Sequence, residues 1–278
     1  MNSDSTPLSE PTSSMFSMSS RTLMLFSLLA AILTISVVLF ISRRKSQSKR
    51  NLLLLVGPSD SGKTSIFSSL VYGHSIPAIT SMQANSSFIN VEGKKDPIQV
   101  VDIPGHPRLR DQFRDSLSSA KALAFVVDAN TASRNAALVA EHLHSVLDAI
   151  MAIPPSQPLP KLLILAHKCD LIKTSSSADT SALAVTRVQT ILERELERRR
   201  VSQSGGMGVE ALGDENSNDK SNMGGLDCSG PGGTFKFENW EGGEVVFLGT
   251  CVRGSQSSEE KAIRGSMAPL MDWIDGNM

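Results

Sequence analysis

The sequence predicts an α/β domain on a mostly parallel central sheet with helices on both faces, preceded by one N-terminal transmembrane helix. Short runs of consecutive apolar residues recur along the chain, each ending in a polar or glycine-bearing loop, as strands buried on both faces of a parallel sheet do. Between them lie segments with apolar residues at helical spacing, the alternation that builds βα units. Ahead of them all stands one uninterrupted apolar stretch, Leu23 to Ile41.

That stretch, LMLFSLLAAILTISVVLFI, holds only apolar residues and small hydroxyls. At about 1.5 Å per residue its length matches a hydrocarbon core of roughly 30 Å. It exceeds the apolar region of a signal peptide, no A-x-A-like cleavage site follows it, and a basic cluster does. Residues 21–42 therefore read as a single-pass anchor, 43–50 as a basic juxtamembrane linker, and 1–20, rich in Ser, Thr and Pro, as a disordered luminal tail. Arg43, Arg44, Lys45, Lys49 and Arg50 follow the span whereas only Arg21 lies just before it, which places the C-terminal part in the cytosol. The cluster can also meet anionic lipid head groups, although fixing topology explains it alone.

A formal net charge of −1 over 278 residues gives no global reason to expect nucleic acid. The three cysteines, Cys169, Cys228 and Cys251, lack metal-ligand spacing and argue against a disulfide framework or a zinc site.

The first strand, Asn51 to Val56, runs into Gly57-Pro-Ser-Asp-Ser-Gly62-Lys63-Thr64 and then a helical segment, Ser65 to Leu70. In such a phosphate-binding loop backbone N–H groups, backed by the positive end of a helix, converge on phosphates while a lysine reaches the outer ones. Candidate nucleotide contacts are Gly57, Ser59, Asp60, Ser61, Gly62, Lys63, Thr64 and Ser65, with the Thr64 hydroxyl also a magnesium ligand. A second strand, Ile98 to Val101, ends in Asp102-Ile-Pro-Gly105-His106. Asp102 would reach a phosphate-held ion directly or through water. Gly105 offers its N–H to a γ-phosphate and free φ to a segment that moves.

A third strand, Ala122 to Val127, closes on Asp128, read as a strand end rather than a ligand. A helix from Arg134 to Met151 follows, with His142 and His144 read as solvated. Proline residues break it before the fourth strand, Lys161 to Ala166, which ends in His167-Lys168-Cys169-Asp170. Asp170 can accept from the N1 and exocyclic amine of guanine, which adenine cannot satisfy together, and the Lys168 stem can lie along the base. A charged helix from Arg187 to Arg200 precedes a Gly, Ser and Asn-rich stretch at 202–233, read as a disordered spacer. The last strand, Glu244 to Leu248, leads to Gly249-Thr-Cys251-Val252-Arg253, and a closing helix spans Lys261 to Met278.

Asp102-x-Pro-Gly105 looks like the switch II motif of GTPases, and His167-Lys168-Cys169-Asp170 resembles their Asn-Lys-x-Asp guanine motif, with histidine replacing the asparagine that braces loop and base. Cys251 and Val252 fall where a base-contacting Ser-Ala-Lys loop would lie, and a plain surface turn accounts for that loop nearly as well. Together these motifs resemble a P-loop GTPase fold of the ADP-ribosylation-factor type. With the single anchor and Asp-Ile-Pro-Gly-His, the chain from about residue 20 onward resembles the beta subunits of the signal recognition particle receptor. The resemblance implies bound GTP and Mg2+, with Thr80 in the switch I segment Ala78 to Met82 as a magnesium ligand and Ser81 as the alternative. It also implies that the chain anchors the receptor's alpha subunit at the endoplasmic reticulum membrane, holding that subunit's N-terminal domain through switches I and II. The translocon or the ribosome are candidate further contacts, without direct nucleic-acid contact.

His106 occupies the position where many GTPases hold the glutamine that orients the attacking water. It reads as either a catalytic or a structural switch residue, and intrinsic hydrolysis is expected to be slow. Two rivals stay open, a membrane-anchored GTPase of vesicle traffic and a scaffold with a degenerate nucleotide site; an ATP-using transporter module fits the single span poorly.

Overall fold

The computed structural model describes residues 21, 24–25, 27–37, 51–77, 79–91, 94, 96–172, 179–206, 226, 234–252 and 260–278, with side chains undescribed at 204–206 and 260–266. The chain divides into two units, Met1–Ser48 and Lys49–Met278. In the first, residues 27–37 are helical and exposed. Among the described residues no helix is long and apolar enough to cross a membrane. The expected span at 23–41 falls partly, and the tail and the basic linker largely or wholly, outside the described residues.

In the second unit, apolar runs become strands because their side chains are covered on both sides. β1 (Leu52–Val56) is buried throughout. Its side chains divide with a period of two: Leu52, Leu54 and Val56 join one core, Leu53 and Leu55 the other. Burying each of these residues is worth roughly 1.5–3 kcal/mol. α1 (Lys63–Tyr72) follows, then β2 (Asn85–Ile89), β3 (Ile98–Asp102), α2 (Phe113–Leu117), β4 (Ala122–Asp128), α3 (Ala136–Met151), β5 (Lys161–His167), α4 (Thr180–Gly206), β6 (Val245–Thr250) and α5 (Glu260–Asn277).

The six-stranded sheet has the order β2-β3-β1-β4-β5-β6. β2 alone is antiparallel, paired with β3, and every other pairing is parallel. Phe113 from α2, Leu143 and Leu147 from α3 and Leu192 from α4 pack on one face with Phe125. Ile66 from α1 and Leu270 and Ile274 from α5 pack on the other. The predicted two-faced parallel sheet is therefore the observed one. Leu226, inside the expected spacer, is buried in the first core, and α4 carries helix through Gly206. The rest of that stretch lies outside the described residues.

Candidate nucleotide-binding site

β1 lies between β3 and β4, so the chain leaves it toward opposite sides of the sheet. A crevice opens beyond the carboxyl ends of the strands at such a reversal. There a cleft of about 200 Å³ is lined by Ser59, Asp60, Gly62, Lys63, Thr64, Ser65, Ile79, Thr80, Ser81, Pro104, Gly105 and Lys168. Phosphate loop, switch segments and base motif thus converge although they are far apart in sequence.

Lys63 opens α1 and is only 6% exposed. Its Nζ donates to the carbonyls of Gly57 at 2.9 Å and Pro58 at 2.8 Å. Burial lowers its pKa to about 8, against the opposing charges of Asp102 and Asp60. The next side chain, Thr64, donates through Oγ1 to Asp102 Oδ2 at 2.7 Å and lies 3.0 Å from Ser81 Oγ. Asp102 is fully buried, and its Oδ1 has no hydrogen-bond partner among the described residues. Burial pushes its pKa up, while the Thr64 hydrogen bond, the Lys63 charge and the Asn85 side chain pull it down. This group of oxygens, one with its lone pairs unused, has the hard-donor chemistry that Mg2+ takes. Ser81, the alternative, meets Thr64, while Thr80 lines the same cleft from an exposed position.

Gly105 requires glycine for a different reason from the φ freedom read in the sequence. A Cβ there would lie 2.5 Å from Pro58 C and 2.5 Å from Ser59 N, so switch II rests directly on the phosphate-loop backbone. His106, half-buried, does not line the cleft; its Nδ1 accepts the Arg108 N–H at 3.3 Å.

The base motif braces the phosphate loop. Lys168, with φ 61°, donates to the Asp60 carbonyl at 2.6 Å and to Asp128 Oδ2 at 2.8 Å. Asp128 Oδ1 accepts the N–H groups of Asn130 and Thr131. Burial raises the Asp128 pKa, but the hydrogen bond and charge of Lys168 and the two N–H bonds outweigh it and hold the carboxyl below its usual range. His167 is 2% exposed, and its Nδ1 lies 3.0 Å from Thr250 Oγ1. Its ring packs on Gly62. Asp170 is exposed in the turn Cys169–Leu171, outside the cleft lining. Cys251 and Val252 are half-buried just past β6, with Val252 against the second core, and Arg253 lies outside the described residues. Cys169 is buried, donates to the Ala166 carbonyl at 2.9 Å, and has its thiol pushed up to about 11 by burial.

Sequence reasoning missed the tie from switch II to the helices, Arg110 to Glu141 at 2.6 Å and Arg199 to Glu141 at 3.6 Å, which only the packed fold brings together. It also misplaced His142. This residue is 1% exposed, not solvated, and stacks edge-on against Phe125 with centroids 5.4 Å apart. Its position on α3 repeats the apolar stripe of Val139 and Val146, a signal a polar residue type obscured.

Burial lowers the pKa of His142 to about 3 and of His167 to about 4. Between those values and the ordinary 6.5 the unfolded chain binds more protons than the native one, so stability is complete above 6.5 and falls as the pH falls through the window. Each histidine contributes a slope of at most about 1.4 kcal/mol per pH unit. Denaturant unfolding at pH 7 and 5 is expected to show the loss, with His142→Phe reducing the slope by about half; an unchanged slope would contradict burial of a neutral ring.

The sequence matches the family model described as signal recognition particle receptor beta subunit over residues 48–245. It is 37% identical over 179 residues to the signal recognition particle receptor subunit beta of Mus musculus, covering 64% of this chain and 62% of that protein's length. The fold is similar to a solved structure described as "The Structure of the Mammalian SRP Receptor", with TM-score 0.61 and 28% identity over 82% of this chain and 100% of that one. It also matches the fold of an SRb-GTP/SRX complex from Chaetomium thermophilum, with TM-score 0.55 and 19% identity over 82% of this chain and 100% of that one.

Proposed function

Because the chain belongs to the signal recognition particle receptor beta-subunit family, we propose that it is a GTP-binding subunit that anchors the receptor's alpha subunit at the endoplasmic reticulum membrane for cotranslational protein targeting. The observation that carries the reading is the meeting of Lys63, Thr64, Ser81, Asp102 and Gly105 at the carboxyl ends of β1 and β3. The backbone of Gly57 to Thr64 and the start of α1 hold the phosphates, and Lys63 exchanges its two carbonyl acceptors for phosphate oxygens. Thr64, with Ser81 or Thr80, would hold Mg2+, and Asp102 would engage it through water. The ion neutralises phosphate charge when bound.

Asp170 reads the guanine edge, and His167, Lys168, Cys251 and Val252 shape the base side. The N-terminal domain of the alpha subunit docks on Ile79 to Ser81 and on the turn after Gly105, so that nucleotide state sets the docking surface. The stretch at 21–42 is the single-pass anchor, with the nucleotide domain in the cytosol. Hydrolysis is slow, because His106 stands where many GTPases hold the water-orienting glutamine and lies outside the cleft lining.

Equilibrium binding of GTP, GDP and ATP to the purified chain tests this. GTP and GDP are expected to bind at least about tenfold more tightly than ATP, and Asp170→Ala to bring them near parity, since the site loses its acceptor for the guanine N–H groups. The alpha subunit's N-terminal domain should be captured with GTP and not with GDP. Equal affinity for ATP, or equal capture in both states, would sink the reading.

A further inference from the structure

Among the described residues only two that are not glycine have left-handed backbone, Asp60 on the phosphate loop at φ 60° and Lys168 in the base motif at φ 61°. This conformation is unfavourable for a residue with a Cβ and persists only where its surroundings hold it. Here the two residues hold each other, because Lys168 Nζ donates to the Asp60 carbonyl at 2.6 Å. One hydrogen bond from a long lysine side chain, 29% exposed, would fix little by itself. The same ammonium is fixed by a second acceptor, Asp128 Oδ2 at 2.8 Å, on a side chain only 13% exposed.

Asp128 is itself immobilised. It ends β4, and the pairing of β4 with β5 sets it opposite His167, the residue before Lys168. Its Oδ1 accepts the N–H groups of Asn130 at 2.9 Å and Thr131 at 3.1 Å, which leaves Oδ2 to the ammonium. Asp60 and Lys168 line the nucleotide cleft and Asp128 does not, so the carboxylate bears on the cleft through the lysine. Both ends of a nucleotide would feel that hold. A trans peptide points its C=O and N–H in opposite directions, so fixing the Asp60 carbonyl on Lys168 fixes the aim of the Ser61 N–H, one of the donors of the phosphate loop. An ammonium engaged by Asp60 and Asp128 also confines the Lys168 stem, the part of the side chain that would lie along the base.

We propose that Asp128 is a positioning residue of the nucleotide site, which locks the base motif to the phosphate loop through Lys168 and so sets how slowly a bound guanine nucleotide leaves. The inference rests on the reading of the cleft as a guanine-nucleotide site. The two carboxylate oxygens divide the work: Oδ1 closes the turn after β4, and Oδ2 holds the ammonium. Because the oxygens are separate, the turn and the lock can be separated by substitution.

Release of N-methylanthraniloyl-GDP from the purified full chain, chased with excess GDP and followed by fluorescence, tests the lock. Asp128→Asn keeps an oxygen for the N–H groups of Asn130 and Thr131 but turns an NH2 toward the ammonium. It should speed release at least about tenfold, since losing one partner of a desolvated charge pair acts mainly on the dissociation rate. Lys168→Met keeps the stem, discards the ammonium and should speed release by a similar factor. Both changes open one lock, so the double variant should release within about twofold of the faster single variant rather than at the product of the two effects. Asp128→Glu, which keeps the charge, should fall between the parent chain and Asp128→Asn. An Asp128 that only closes its turn would act without regard to Lys168, and its effect would multiply with that of Lys168→Met. Where circular dichroism shows Asp128→Asn unfolded, the same cycle run with Asp128→Glu decides. Release at the parent rate from the folded aspartate variant, or effects that multiply, overturns the positioning role and leaves the nucleotide reading standing; a parent chain that takes up no GDP overturns both.

Discussion

Lys63→Ala is expected to reduce GTP affinity by roughly 100-fold or more. The ammonium already donates to two carbonyls of its own loop at 2.8 and 2.9 Å, so its head is fixed where outer phosphate oxygens would arrive. Two charge-assisted hydrogen bonds at about 1.5–3 kcal/mol each account for a loss of that size. Fold stability should respond in the opposite sense. The native pKa of about 8 lies below the ordinary 10.5, so burying the charge costs stability below about 8, and that cost is relieved as the pH rises from 8 to 10.5. Lys63→Met, which keeps the stem and discards the charge, should therefore unfold at an equal or higher denaturant concentration at pH 7 while binding GTP as poorly as the alanine variant. Fluorescent-nucleotide titration beside a urea curve separates the two effects. GTP affinity within threefold of the parent protein would remove Lys63 from the phosphate site.

The parallel strands were legible because each is covered on both faces and must be written almost wholly in apolar residues, as β1, β4 and β5 are. β2 escaped notice for the converse reason. It is an edge strand, Asn85-Ser-Ser-Phe-Ile89, with all but the last residue at least partly exposed, and its pairing is dictated by β3 rather than by its own composition. The helix ends drifted similarly: α4 begins at Thr180 and reaches Gly206, where charge pattern alone suggested 187–200.

The site followed the same division. Residues brought together by the local loop itself, Lys63, Thr64 and Gly62, could be grouped from spacing, and they line one cleft. Residues whose role depends on register could not. Asp128 becomes the anchor of Lys168 because β4 and β5 pair Asp128 with His167, and no spacing rule encodes that alignment. The tight contact of Gly105 with the backbone of Pro58 and Ser59 was not legible, since a close approach between separate loops is invisible in one loop's sequence.

Gly62→Ala is expected to destabilise the fold by about 2–5 kcal/mol, and the partner in that loss is His167. Gly62 sits at φ 96°, where an L-residue carries a penalty of about 1–2 kcal/mol. An added Cβ would also lie 2.3 Å from His167 Cδ2 and 2.7 Å from Nε2. The ring cannot simply rotate away, because Nδ1 is tied to Thr250 Oγ1 on β6, whose register sets Thr250 opposite His167. Overpacking of this kind costs about 1–3 kcal/mol more. His167→Ala alone should also destabilise, by about 2–4 kcal/mol, through the cavity it leaves. In Gly62→Ala/His167→Ala the new methyl enters the vacated space, so the double variant should be more stable than the sum of the single losses by about 1–3 kcal/mol. GTP affinity should follow the same order, because displacement of Gly62 tilts the loop that presents the phosphate-binding N–H groups. Losses that add within about 0.5 kcal/mol would show that the ring and the loop are independent. Coupling would mean that His167 still performs the bracing read for asparagine at this position, from Gly62 on the phosphate loop to Thr250 on β6, by filling space on one side and hydrogen bonding on the other.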